Sequence, residues 1–587
     1  MKGVLKLKII KSIKKLTIGI YASFKRFPIS LLYSTCTAIM IIIINEIDSN
    51  LSRQTYEMLT RITMTLALGI PLSLCVKMFL EKRGENSYLK HIIYYIFVGI
   101  LQVVFYKFLL RELNMVTISR YVGLNLTFYL CFLYIPHWLD KKNFEFYVIH
   151  ILTYFLVTYV YSAVLFGGLS AILFAIDKLL GITVKSETYF YTFLIVALIF
   201  APAYFLAYIP QGKDISLRKS YSKILKILLT YIVMPLLSIY SLILYIYFGK
   251  IIITMTWPEG LVSHLVLWFS LLLTMVLFFI SPIREDTKWI LKFSKWSPRI
   301  ILPILIMMFV SMGIRINAYG ITENRYYVLV LGLWIFGIMV YLSLSKKSRN
   351  IVLPISLSII ILISLLGPLS SYSISKYSQS KRFESILSKN KMLESGKIIP
   401  SPNIKIEDKQ SISSILSYFE NNHDLNNLSV LPKEFKIQDM EDTFGFDYQS
   451  PYLTYNHYFH YSSDMSEDIL NISDYDYLID SRNLYSDDPI ENKDLVIDID
   501  LESNNISIEF IDSGDIYKKN LNDFGVMIYE RYGNEGGKDS LSEEEMTIED
   551  EYKGHSFKFI FQSFNGGRDK NGQIEINDIN YYLLIKK

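Results

Sequence analysis

Arg315, Glu323 and Arg325 fall within eleven residues, between the apolar segments Ile300–Ile314 and Tyr326–Leu344. Guanidinium groups present paired, planar N–H donors, so two arginines at this spacing suit a phosphate or a carboxylate. Tyr319 lies between them. A junction this short, charged and aromatic is either an anchor at the water interface or part of a site. Glu259, in Trp257–Gly260, and Asp177 are further candidate polar groups, with Glu46, Asp48, His264 and Arg111 as weaker ones. Acids in a first outer loop, here Glu46 and Asp48, would serve a transferase as base or metal ligand. That loop spans only about twelve residues, short for such an enzyme.

These groups need elements to hold them. Apolar runs of about twenty residues, enough to cross a hydrocarbon core, recur from Pro28 to about Gly367 and then stop. Residues 1–370 carry 37 Lys+Arg against 15 Asp+Glu, and residues 371–587 carry 22 against 40, so the formal +4 describes neither part. The expectation is a basic cytoplasmic N-terminus (1–27), an α-helical polytopic membrane domain (28–370) and an acidic soluble α+β domain (371–587). The spacing predicts eleven spans, at about 28–45, 58–80, 91–110, 121–138, 146–165, 188–209, 224–249, 261–281, 299–315, 326–345 and 350–369. The basic N-terminus with no small-residue cleavage site after the first run reads as an uncleaved first span.

Basic loops stay in the cytoplasm. With the N-terminus inside, inner segments hold 25 Lys+Arg and outer segments before residue 370 hold 8. That orientation puts the C-terminal domain outside the cell. The stretch 166–182 is apolar enough to suggest another span, but a crossing there would move the basic loops 210–223 and 282–299 outside. It is therefore expected to be a re-entrant or interfacial segment on the outer face, where Asp177, Glu259, His264, Arg315, Glu323 and Arg325 also collect. Lys77 and Lys226 lie near inner ends and can snorkel. The midplane is nearly free of ionisable groups, which argues against a proton- or sodium-coupled pump.

Beyond residue 370, helices are expected at Ser378–Leu393 and Lys409–Glu420, then strands. Leu495–Leu501 and Ile506–Ile511 alternate apolar and polar residues as a hairpin with one wet face does. Further strands are expected at Tyr475–Ile479, Val526–Arg531, Ser556–Ser563 and Tyr581–Lys586, with turns at Asn565–Gly567 and at Asn571–Gly572, giving an antiparallel sheet. The run Tyr452, Tyr455, His457, Tyr458, Phe459, His460, Tyr461 reads as aromatic packing or docking on a membrane surface, since two histidines without companions make no metal site. Cys36, Cys75 and Cys131 all lie in apolar segments, which excludes a four-Cys metal knuckle and a disulfide framework. No phosphate loop, dinucleotide fingerprint or nucleophile elbow occurs. No metal, cofactor or nucleic-acid partner is expected.

Several stretches together resemble one family, the bacterial polytopic membrane proteins catalogued as domain of unknown function four-one-five-three. They are Arg26–Pro28, Gly69–Leu72, Tyr231–Leu236 with Tyr240 and Tyr245, Trp257–Gly260, Arg315–Tyr327, Gly367–Pro368, and Ser378, Gln379 and Arg382. The similarity covers about residues 20–390, with a looser match through Ser473–Tyr477. The resemblance implies an integral membrane protein with many spans and no assigned reaction, so no catalytic residue carries over.

The reading that follows is a non-enzymatic envelope scaffold or permease-like body with an outer-face polar site and an extracytoplasmic binding domain. Its partners would be the bilayer itself, phospholipid headgroups, lipid-linked precursors or cell-wall components. The alternatives are an outer-leaflet transferase acting on a lipid-linked substrate, with Glu46, Asp48, Glu259 and Arg315 as its groups, and a solute transporter.

Overall fold

The computed structural model describes residues 17–47, 52–85, 87–138, 143–211, 221–254, 261–345, 349–449, 459–464, 470, 472–483, 489–500, 503–532, 540–568 and 574–587. The chain divides into two compact units. One runs to Ser385 and takes in Asn421–Ser429; the other comprises Ile386–Glu420 and Val430–Lys587. The division after Ser385 falls within a helix, Ser371–Lys389.

Ten helices among the described residues are long and apolar enough to cross a membrane. They are α1 (Pro28–Ile47), α2 (Arg53–Arg83), α3 (Tyr88–Leu109), α4 (Met115–His137), α5 (Phe144–Leu180), α6 (Ser186–Ala207), α7 (Lys223–Thr254), α8 (Leu261–Ile280), α9 (Lys288–Tyr319) and α10 (Glu323–Leu344). An eleventh apolar helix, α11 (Val352–Leu365), has only 14 residues. At 1.5 Å per residue that is roughly 21 Å, short of a core about 30 Å thick. Every expected span thus coincides with an apolar helix, and most helices extend beyond the apolar run into charged ends such as Lys82 and Arg83.

Residues 166–180 have no boundary of their own: they continue α5, a single helix of 37 residues. Phe166–Leu180 contains no proline, the cost of about 1 kcal/mol for each of Gly167 and Gly168 does not end the helix, and the chain turns only at Gly181, where φ is +67°. The stretch expected to be a re-entrant or interfacial segment is thus the C-terminal part of that helix. The prolines within spans leave their helices continuous, as at Pro71 in α2 and Pro303 in α9. Wide π-turns interrupt α3 at Phe105–Leu109, α6 at Val196–Phe200 and α7 at Leu228–Val233.

The helices bury a shared apolar core in which Leu305, Met308, Ile335 and Met339 from α9 and α10 are almost fully enclosed. At the basic end of the bundle, polar groups tie helices together. Arg26 grips Glu81 through two nitrogens, at 3.0 and 2.7 Å. Asn350 Nδ2 donates to Glu145 Oε1 at 2.7 Å and to Ser281 Oγ at 2.8 Å.

The second unit begins within α12 (Ser371–Lys389) and continues through a short hairpin, β1 (Leu393–Glu394) with β2 (Lys397–Ile398), to α13 (Ile406–Asn422) and α14 (Met440–Phe444). A four-stranded antiparallel meander follows the order β5 (Ile490–Glu491), β6 (Leu495–Asp500), β7 (Asn505–Phe510), β8 (Ile516–Asn520). The expected hairpin is β6–β7, with Leu495, Ile497 and Ile499 buried on alternate positions and Leu495 opposite Phe510. The larger sheet runs β4 (Tyr477–Asp480), β12 (Ile574–Lys586), β11 (His555–Arg568), β3 (Phe459–Asp464), β9 (Ser540–Ser542), with β10 (Thr547–Tyr552) also on β11. It is antiparallel except for β3 with β9. A core including Phe510, Phe557, Phe559 and Leu583 joins the two sheets.

Two expectations fail here. Val526–Arg531 is not a strand but part of α15 (Asn522–Tyr532), because Phe524, Gly525 and Ile528 bury one helical face. Asn565–Gly567 is no turn: it lies inside β11, paired to β12 across a bulge. Gly566 is required there by close approach, since a Cβ would sit 2.3 Å from the Glu575 carbonyl oxygen. His457, Tyr452, Tyr455, Tyr458 and Asn571–Gly572 lie outside the described residues.

Candidate functional site

Arg315 and Tyr319 sit one turn apart at the end of α9. The helix stops at Gly320, whose φ of +70° and ψ of 179° belong to a region open essentially to glycine. Thr322 precedes α10, and Glu323 and Arg325 occupy its first turn. The three-residue connection is fixed from both sides. Arg325 Nη1 donates to the Gly320 carbonyl at 2.9 Å and the Tyr319 carbonyl at 3.3 Å, a cation closing the end of α9 where the helix dipole is negative. Gln379 Nε2, on α12, donates to the Tyr319 carbonyl at 3.0 Å and the Ile321 carbonyl at 3.1 Å. Ser378 Oγ accepts from the Ile321 N–H at 2.8 Å.

The result is a gathering of positive charge. The Arg325 guanidinium carbon lies 5.5 Å from the centre of the Tyr319 ring, and that of Arg382 lies 6.0 Å from the same ring. Burial, and then the positive charge of Arg325, hold the Arg382 guanidinium below its ordinary pKa. Tyr319 itself is half-exposed, at 52%. Among the described residues no carboxylate lies within ion-pair distance of Arg315 or Arg325.

Glu323, two residues from Arg325, is turned elsewhere. Its Oε1 is 2.8 Å from His423 Nε2, within the Asn421–Ser429 segment that belongs to the same unit. The His423 ring meets Tyr372 edge-on, and the Tyr327 hydroxyl accepts from Ser371 Oγ at 2.9 Å. Arg120 lies over the Tyr372 ring and donates to the Leu365 carbonyl. Glu323 therefore bonds into a neighbouring polar cluster through His423.

Of the residues singled out from sequence, the structure brings Arg315, Tyr319 and Arg325 together, with Glu323 adjacent. Glu46 lies apart at the end of α1, accepting from the Tyr191 hydroxyl at 2.5 Å. Asp177 pairs with Lys178 at 2.9 Å and accepts from the Val184 N–H. His264 and Arg111 are exposed on α8 and after α3, and among the described residues no contact joins them to the arginines. Glu259 and Asp48 lie outside the described residues. Sequence reasoning did not assign Arg382, Gln379 or His423 to the site. The first two stood among the stretches carrying the family resemblance, which was the available signal.

Chemically, the cluster offers guanidinium donors and an aromatic face. That set can hold an anion, in the bidentate fashion arginine favours.

No solved structure matches the chain. An uncharacterised protein of Pasteurella multocida (strain Pm70), PM1469, is 22% identical over 277 residues. The match takes in 47% of each chain, so this chain spans about half the length of the relative it matches. The family described as domain of unknown function DUF4153 matches residues 33–394, a stretch holding α9, α10 and the whole of α12, and the chain belongs to that family.

Proposed function

We propose that this multi-pass membrane protein resides in the cell membrane and holds a phosphate-bearing anion at its outer face, between Arg315, Arg325 and Arg382. The observation that carries the reading is the approach of two arginines to one half-exposed ring, Tyr319, with Arg315 one turn before it. An anion placed between these guanidinium groups would be attracted by each of them. Bidentate guanidinium contacts would fix a tetrahedral phosphate in orientation. The protein is then a scaffold or permease-like body that captures a headgroup, with its acidic second unit as an extracytoplasmic binding module. The outer location rests on the distribution of basic residues, 25 in inner loops against 8 in outer ones.

The test uses the full chain in nanodiscs of zwitterionic lipid, titrated with dioctanoyl phosphatidic acid, inorganic phosphate and dioctanoyl phosphatidylcholine. Phosphatidic acid should bind saturably and be displaced by inorganic phosphate, while phosphatidylcholine should not bind at the same site. Phosphate binding as tightly as phosphatidic acid would identify a free anion as the ligand. Equal binding of both lipids, unaffected by phosphate, would overturn the reading.

A further inference from the structure

A second site lies at the opposite, basic end of the bundle. An apolar cavity of about 390 Å³ is enclosed by α1, α2, α4, α5 and α6, with Ile70, Phe132, Ile151, Ala201 and Phe205 among its walls. Two of its hydroxyl groups are already engaged: Ser30 Oγ bonds Ser73 Oγ at 2.7 Å, and Thr158 Oγ1 donates to the Tyr154 carbonyl at 2.7 Å. Such a cavity gives water no partners and stays dry.

The space arises from the shape of α6. Its π-turn Val196–Phe200 is followed by Pro202, and small residues, Ala197 and Ala201, face the void. The Ser34 hydroxyl donates to the Leu198 carbonyl within that turn and fixes it against α1. The cavity opens sideways, for two of its wall residues, Tyr129 on α4 and Phe155 on α5, are 45% and 55% exposed. At the level of apolar spans the surrounding fluid is hydrocarbon.

Directly beyond it lies a polar recess of about 270 Å³, lined by Ser23, Arg26, His150, Tyr208 and Gln211. Leu206 lines both spaces, and His150 and Ile151 are successive residues of α5. Arg26 is held there rigidly, paired with Glu81 and donating to the Ile209 carbonyl at 2.6 Å. Apolar depth and polar mouth thus follow one another along the same two helices, in the order of an amphiphile entering from the basic end.

We propose that these two cavities hold one phospholipid, its acyl chain in the apolar cavity and its headgroup in the recess beside Arg26 and His150. This site is independent of the arginine cluster and does not rest on that reading.

The test places the full chain in nanodiscs containing phosphatidylglycerol with a diazirine in its acyl chain. After irradiation, adducts are mapped by mass spectrometry. Labelling at Leu152, Phe155 and Phe205 should exceed that at the exposed α7 residues Ile239 and Ile246 by at least about fivefold. Ala201→Phe, and separately Ala197→Leu, should remove the excess by filling the space, leaving α7 labelling unchanged. Labelling no greater than on α7, or an excess that survives both folded variants, would overturn the proposal. Should neither variant fold, the wild-type map decides alone.

Discussion

Replacing Gln379 by Ala removes the side chain that holds the α9–α10 connection. Gln379 is 3% exposed, and its amide nitrogen serves two carbonyls, those of Tyr319 and Ile321. Each neutral hydrogen bond contributes about 1 kcal/mol net, and leaving two part-buried carbonyls without a donor adds to the loss, so about 2–4 kcal/mol is expected. The cost falls on local opening of the connection, because α9 and α10 are otherwise held by their apolar faces. At 1.4 kcal/mol per decade, amide exchange in residues 318–326 should accelerate by about 30- to 700-fold. The Ile321 amide, which donates to Ser378, should respond most. Hydrogen exchange of the full chain in detergent, read by mass spectrometry, measures this directly. Exchange in 318–326 unchanged, with α12 equally protected, would refute the argument that Gln379 pins the connection.

Gly320→Ala forces a Cβ into a φ,ψ region that side chains avoid and sets it 2.8 Å from Gln379 Nε2, so a loss of about 1–3 kcal/mol is expected in urea unfolding of the full chain. In the second unit, burial tends to raise the Asp408 carboxyl, but bonds from Lys389 and Asn390 overcome it and hold the pKa below its ordinary value. A depressed carboxyl contributes stability above its unfolded pKa of about 3.9 and loses it as pH falls through the folded value. Protection of Ile406–Asn422 should therefore drop below about pH 4 in wild type, and Asp408→Asn should flatten that dependence. Orientation is tested by replacing the three cysteines and introducing one at Asp214 or Asn324. An impermeant thiol reagent applied to intact cells should label position 324 alone; labelling at 214 would reverse the orientation.

The spans were legible because a bilayer imposes length and apolarity on each helix separately, with no need for partners to be known. What the sequence could not show is that two successive apolar stretches form one helix, as they do in α5 to Leu180. In the second unit, β6 was readable from its alternation. Val526–Arg531 misled because two bulky residues, Val526 and Ile528, alternate within a segment whose burial follows α-helical spacing. Asn565–Gly567 misled because a glycine pair, of which Gly566 is demanded by close backbone approach, looks like a turn. The site was half visible. Arg315, Tyr319 and Arg325 are local, whereas Gln379 and His423 reach the junction across 60 and 100 residues of chain, a separation no spacing rule spans.

The central claim is that the arginines at the α9–α10 junction hold an anion, and Arg315 tests it best. Among the described residues it makes no hydrogen bond or ion pair, so Arg315→Gln should leave the connection intact. Losing one charge-assisted contact, about 1.5–3 kcal/mol, should weaken dioctanoyl phosphatidic acid binding by roughly 10- to 100-fold. The measurement is the dissociation constant of that lipid for wild type and Arg315→Gln in zwitterionic nanodiscs. A loss of that size, with unchanged exchange in residues 318–326, is what the geometry predicts; identical affinities for the two proteins would contradict it.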